Sequence, residues 1–277
     1  MNWFWGCAGM ALAATSIPIK ELVSYEAKVT RYTIDDESWQ GKGRLRIALI
    51  TDFHAGDEIW SGRALARLVR KEEVDLVCIV GDFFEPGRSY GEAMTFVEDI
   101  NAWRPVYYVS GNHDEGEPHL EGLKEIMSSR YGVHVLDNRN VMVRVKDAWV
   151  DIFGVRDKGA YKSENEWLHD VQQVLSEDTG ATDAYRIVLC HRPEPTVLFD
   201  GLKKDLVLSG HTHGGQWRIF KKGVFAPGQG AFPKYSKGIY KRCKKHPYHM
   251  VLSAGFAVDN KIPRINNRPE LVILDIK

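Results

Sequence analysis

Five short clusters in this 277-residue chain carry residues that can bind a metal ion or move a proton. They are Asp52-x-His54, Gly81-Asp82, Gly111-Asn112-His113-Asp114, His191, and Gly210-His211-Thr212-His213. Each alone has an ordinary reading: Asp82 as a helix cap, Asn112 as a turn residue, a single histidine as a local hydrogen-bond partner. Together they offer carboxylate, imidazole and amide oxygen, the donor set that suits Mn, Fe or Zn. Residues two apart at a strand end share a face. Asp52 with His54, and His211 with His213, therefore form two pairs of neighbouring donors. Two divalent cations about 3.5–4 Å apart can clamp a phosphoryl group and lower the pKa of a bound water. Such a pair needs one shared carboxylate, and Asp82 is the best candidate for it.

The clusters fall at the ends of apolar runs. LRIALI (45–50) leads into Asp52, VDLVCIV (74–80) into Asp82, and VYYVS (106–110) into Asn112. YRIVLC (185–190) ends at His191 and DLVLS (205–209) at Gly210-His211. Between these runs the apolar residues take helical spacing, over 61–73, 89–103, 119–131 and 164–176. Continuous apolar strands separated by amphipathic helices indicate βαβ units, with strands buried on both faces. VHVL, VMVRV and WVDIFGV within 133–155 read as short strands, as do HMVLSAG (249–255) and LVILDI (271–276). The expected fold is α/β, with two mixed sheets flanked by helices. Ligand sites in open α/β sheets lie at the carboxyl ends of strands, which is where all five clusters sit.

Lys plus Arg equals Asp plus Glu, at 37 each. No global field favours nucleic acid, so recognition of an anionic substrate has to be local. Cys7, Cys78, Cys190 and Cys243 are too scattered to form a disulfide framework. Residues 1–19 differ from the rest: Trp3 to Ile19 is uncharged and apolar, near the lower limit of roughly 17–25 residues for a membrane span. We read 1–19 as a membrane anchor or interfacial segment, 20–43 as a linker or first edge strand, and 44–277 as the catalytic domain. Lys20, Lys28 and Arg31 follow the apolar segment, so a spanning helix would leave the catalytic domain on the cytoplasmic side.

The order D-x-H, G-D, G-N-H-D, H, G-H-T-H over residues 50–215 resembles the calcineurin-like metallophosphoesterases. The resemblance implies a four-layer α/β/β/α sandwich and a dinuclear centre. Asp52, His54, Asp82 and His213 would hold one metal; Asp82, Asn112, His191 and His211 would hold the other. A bridging hydroxide would be the nucleophile. His113 matches the family's non-ligand catalytic histidine, with Asp114 as an orienting group or helix cap. One position departs: the family commonly reads G-D-x-x-D, and here Glu85 stands where the last Asp would support that histidine. GVFAPGQGAFPKYSKGIYK (223–241) and PRINNRPEL (263–271) resemble a narrower, membrane-associated branch. That branch is typified by Bacillus YkuE-type phosphoesterases and includes enzymes proposed to act on UDP-2,3-diacylglucosamine.

The expected activity is metal-dependent hydrolysis of a phosphodiester or pyrophosphate, with a substrate that suits a membrane surface and is not nucleic acid. The stretch 221–248 is rich in Lys and aromatics and forms either a solvated loop or a rim that meets phosphate, a nucleobase or an anionic membrane surface. Lys234, Arg264 and Arg268 are its nearest candidates for substrate contact. Two alternatives stand: a soluble phosphomonoesterase or nuclease, and a non-catalytic scaffold.

Overall fold

The structure, a computed structural model, describes residues 26–56, 60–177, 183–195, 204–242, 247–258 and 263–277. The apolar segment 1–19 lies outside the described residues. Among them, no helix is long and apolar enough to cross a membrane.

Two six-stranded sheets face each other. The first contains β1 (Lys28–Ile34), β2 (Leu45–Ile50), β3 (Leu76–Val80), β4 (Val106–Val109), β5 (His134–Val135) and β16 (Glu270–Ile276), in the order β1-β16-β2-β3-β4-β5. The second contains β6 (Arg139–Val145), β7 (Ala148–Val155), β8 (Tyr185–Cys190), β9 (Leu206–Ser209), β14 (Gly238–Arg242) and β15 (Tyr248–Leu252), in the order β14-β15-β9-β8-β7-β6. Both sheets are mixed. β2, β3 and β4 run parallel, and so do β7, β8, β9 and β15. β16 lies antiparallel to β2, and β6 antiparallel to β7.

The continuous apolar runs are explained by which way alternate side chains point. Ile47 and Leu49 enter the core between the sheets, with Cys78, Val109, Ile187 and Leu208. Ala48 and Ile50 point the other way, into a core shared with helices. Those helices are α1 (Gly62–Arg70), α2 (Gly91–Asn101) and α4 (Leu120–Ser129), which contribute Leu65, Val69, Phe96, Ile100, Leu123 and Met127. The short α3 (Asn112–Glu115) precedes α4. On the outer face of the second sheet, α5 (Glu164–Glu177) packs Trp167 and Val171 against Phe153, Val188 and Val207. The expected four-layer sandwich is what forms.

Two boundaries differ from the sequence reading, each for a local reason. Helix α1 stops at Arg70 rather than 73, because Glu73 takes a φ of 50° on entering β3. The expected strand 249–255 ends at Leu252, and the chain then turns through Gly255 at a φ of 63°. Within the stretch read as a linker or first edge strand, β1 pairs along its whole length with β16 at the sheet edge. The Lys-rich stretch after 217 also folds into short hairpins: β10 (Arg218–Ile219) with β11 (Lys222–Gly223), and β12 (Phe225–Ala226) with β13 (Gly230–Ala231).

Candidate metal centre

The carboxyl ends of β2, β3, β4, β8 and β9 meet at one place between the two sheets. Asp52, His54, Asp82 and His213 each offer a ligand atom, and these atoms lie within 4.8 Å of one another. Asp82, His191 and His211 form a second group under the same limit. Asp82 is the member common to both. Its Oδ2 lies 3.1 Å from His191 Nε2, and its Oδ1 accepts a hydrogen bond from the His113 backbone N–H at 2.8 Å. Asp52 Oδ1 lies 3.3 Å from His213 Nε2.

A test of whether these residues fit cations is the state of their inward atoms. Asp52 Oδ2, His54 Nε2, Asn112 Oδ1 and His191 Nε2 are all buried without a hydrogen-bond partner. Orphaned buried polar atoms are costly and rare. Four of them converging from three strand ends is the pattern expected where cations complete the coordination. The opposite ring nitrogens are already engaged, which fixes which nitrogen faces inward. His191 Nδ1 donates to the Val80 carbonyl at 2.9 Å, and His54 Nδ1 is bonded to the Glu85 carboxylate.

The backbone is bent to bring this about. Asp52, His54, Asp82, His211 and His213 all have φ between 47° and 67°. Such values are uncommon outside glycine and concentrate at functional sites. Gly81, at a φ of 76°, makes the close approach possible: a Cβ there would lie 2.3 Å from the His191 ring. Gly255 does the same for Asp52, whose Oδ2 would be 2.5 Å from an added Cβ.

The charges are set by mutual pairing. Burial raises the Asp52 carboxyl, but the His213 hydrogen bond and the charges of His213 and His191 outweigh it and hold it down at about 2. Burial opposes a charge on His191, yet Asp82 and Asp52 push it up to about 10. Burial, His191 and Arg192 together press His211 down to about 2.

His113 stands apart from both groups. Glu85 Oε2 lies 2.8 Å from His113 Nδ1, so the longer glutamate arm reaches the histidine that the sequence left in doubt. The Glu85 bond raises the His113 pKa against the opposing effect of burial. Its side chain is 39% exposed, against 10% for His54 and 21% for His213, so it opens to the cleft. His54, Glu85 and His113 also lie close enough to hold an ion, but Glu85 already joins the two Nδ1 atoms. Asp114 is fully buried and accepts from Phe84 N at 2.6 Å and Gly111 N at 2.8 Å. It ties the turn after β3 to the turn after β4, a cap and a brace at once. Burial, with the Asp82 charge, pushes it up to about 7.

The three residues expected to contact substrate each have a local partner. Arg264 is 1% exposed and donates to the carbonyls of Ala257 and Ala254, bracing the turn that carries Gly255. Arg268 pairs with Glu26 at 2.8 Å, beside the edge strand. Lys234 is exposed and lies over the Tyr235 ring, 5.2 Å from its centroid.

Sequence reasoning missed Arg192. Its Nε donates to Asp157 at 2.8 Å, and its Nη1 lies 2.9 Å from His211 Nε2. It lines a cavity of about 310 Å³ with Lys158, Glu164, Trp167, Leu168 and Gly228. Only its position directly after His191 could have flagged it. Asn267 was also missed: from the 263–271 motif it donates to the His213 carbonyl at 2.7 Å.

An α/β/β/α sandwich with two donor groups sharing one aspartate at its strand ends defines a dinuclear metallohydrolase. The family model for calcineurin-like phosphoesterases matches residues 45–215, and the chain belongs to that family. The family uses a dinuclear divalent-metal site. An uncharacterized metallophosphoesterase of Campylobacter jejuni is 28% identical over 88% of this chain and 62% of its own length. The uncharacterized Bacillus subtilis metallophosphoesterase YkoQ is 24% identical over 91% of each chain. A Danio rerio protein named as a transmembrane protein with a metallophosphoesterase domain is 30% identical over 62% of this chain. This chain spans 41% of that protein's length.

Proposed function

We propose that the chain is a metal-dependent phosphoesterase that cleaves a phosphodiester or pyrophosphate bond in a membrane-associated substrate, with UDP-2,3-diacylglucosamine as the specific candidate. The observation that carries the hydrolase reading is the convergence of four unpartnered buried donor atoms on one aspartate-centred cleft. In this reading Asp52, His54, Asp82 and His213 hold one divalent cation, and Asp82, Asn112, His191 and His211 the other. When bound, such cations offset phosphoryl charge and make water nucleophilic at neutral pH.

The chain's own residues supply the rest. Glu85 holds His113 by Nδ1, leaving Nε2 free to give a proton to the leaving oxygen. Asp114 fixes the turn from which Asn112 and His113 project. Arg192, held by Asp157, gives the cleft a cation for a second phosphate or a diester oxygen. The cavity it lines has room for an organic group on the phosphorus, which favours a diester or pyrophosphate over a small monoester. The uncharged segment 3–19 and the name of the Danio rerio relative support a membrane-associated substrate. A hydrolysis panel on metal-reconstituted protein tests this. It should contain a monoester, an aryl diester, cyclic nucleotides and UDP-2,3-diacylglucosamine. We expect the amphiphilic pyrophosphate to give the highest kcat/KM. A monoester turned over best would move the assignment to a soluble phosphomonoesterase, and no turnover of any member would favour a scaffold.

A further inference from the structure

Eight large apolar side chains stand exposed among the described residues, and five of them lie between positions 217 and 232. Single exposed apolar residues are ordinary; a concentration on two short hairpins is not. Phe220 is 92% exposed, Phe232 76% and Ile219 60%. Both phenylalanines also have a φ of 54°. Phe220 and Lys221 form the two-residue turn between β10 and β11, a place that normally takes Asn or Gly. The left-handed region is rare for a bulky side chain. Neither local backbone preference nor burial among the described residues therefore accounts for these rings.

The two hairpins are one unit. Val224 N donates to Trp217 O at 2.8 Å, and Phe232 N to Val224 O at 2.7 Å. They are also joined to the cleft, since Val224 N reaches Gly215 O at 3.2 Å, two residues past His213. Within 217–232 the charged residues are Arg218, Lys221 and Lys222, and Glu194 packs from outside against the second hairpin turn at Gly228. Between Asp205 and Asp259 there is no Asp or Glu but nine Lys and Arg, in a chain balanced at 37 of each sign. Lys221 and Lys222 flank the Phe220 tip and are exposed, as is Lys234 beside Phe232.

We propose that the β10–β11 and β12–β13 hairpins dock on an anionic lipid bilayer. Phe220 and Phe232 enter the acyl boundary, while the adjacent lysines stay at the headgroups. The projecting Phe220 turn and the exposed Phe232, with Lys221, Lys222 and Lys234 next to them in sequence, fit a charged lipid surface better than a protein groove, which would present partners of both signs. Docking here brings the cleft beside the bilayer. The inference thus deepens the membrane-substrate reading above, but its test involves no turnover.

The experiment is hydrogen exchange on the full chain, free, with phosphatidylcholine vesicles, and with vesicles containing phosphatidylglycerol. Exchange in 217–232 should slow with the phosphatidylglycerol vesicles and return to the free rate in the Phe220→Ser/Phe232→Ser variant. The Lys221→Glu/Lys222→Glu variant should lose the preference for anionic vesicles. Thermal unfolding checks that both variants are folded. Three results would overturn the proposal: no vesicle binding, binding that leaves 217–232 unprotected, or protection that appears without vesicles as concentration rises. The last would make the occupant a second copy of this chain. Failure here with a positive hydrolysis panel would leave the catalytic reading intact.

Discussion

The metal cleft and the hairpins beside it both hold side chains on backbone that most residues avoid, yet they end with opposite exposure. In the cleft, five residues at positive φ bury carboxylates and imidazoles, and the neighbours that hold them are visible: Val80, Glu85, Asn267 and Gly255. In the hairpins, Phe220 and Phe232 at the same kind of φ point apolar rings into solvent. Local strain persists only when something over-determines it. In the cleft the packed sheets and hydrogen bonds do so from inside. In the hairpins nothing within the described residues does, and the bilayer proposed above would be the compensating partner.

The largest effect should come from breaking the centre of the cleft. Asp82→Asn removes the one carboxylate common to both donor groups, and two cations repel strongly without it. We expect metal analysis to find well under two equivalents and activity to vanish. Two full equivalents with normal turnover would remove Asp82 from the centre.

The next effect separates the rim of the cleft from its floor. His113→Ala should keep both metals but lose roughly 10²–10⁴ in rate, less for substrates with good leaving groups. Glu85→Gln should cost about 10–100-fold, because it loosens His113 and His54 without removing either. Metal loss in His113→Ala would instead make that histidine a ligand.

A smaller effect sharpens the contrast in strain. Asn tolerates the left-handed region, so Phe220→Asn should raise stability by roughly 0.5–1 kcal/mol in urea unfolding. A destabilised variant would mean that the Phe220 ring packs within the chain.

The smallest effect lies away from both regions and calibrates them. Arg46 binds Asp275 bidentately at 2.7 and 2.8 Å between β2 and β16. The Arg46 hydrogen bond lowers the Asp275 carboxyl, outweighing partial burial. A depressed folded pKa gives stability that is present above the unfolded value of about 3.9 and is lost as pH falls through the folded value. Asp275→Asn should therefore cost up to about 1 kcal/mol at pH 7. The difference from wild type should shrink in acid; one that persists there would assign it to packing.

Much of this was legible in the sequence, for reasons the structure makes plain. Strand ends at Asp52, Asp82, Asn112, His191 and His211 stood out because buried parallel strands leave long apolar runs that a polar cluster interrupts. Ligand types two residues apart, and glycines beside them, carry their chemistry locally. Arg192 and Asn267 were not legible, because their roles depend on contacts with His211 and His213 across the fold. The burial of Arg264 was not legible either: nothing in PRINNRPEL tells a buried guanidinium from an exposed one. The strain on Phe220 is equally silent in sequence, since it needs the two-residue register of β10 with β11.

The most direct test of the dinuclear centre is anomalous diffraction from crystals of the metal-reconstituted chain, collected at the edge of the added metal. Two peaks should appear on opposite sides of the Asp82 carboxylate, one beside Asp52, His54 and His213, the other beside Asn112, His191 and His211. A single peak, or a peak held by His54, Glu85 and His113 instead, would contradict the shared-aspartate centre.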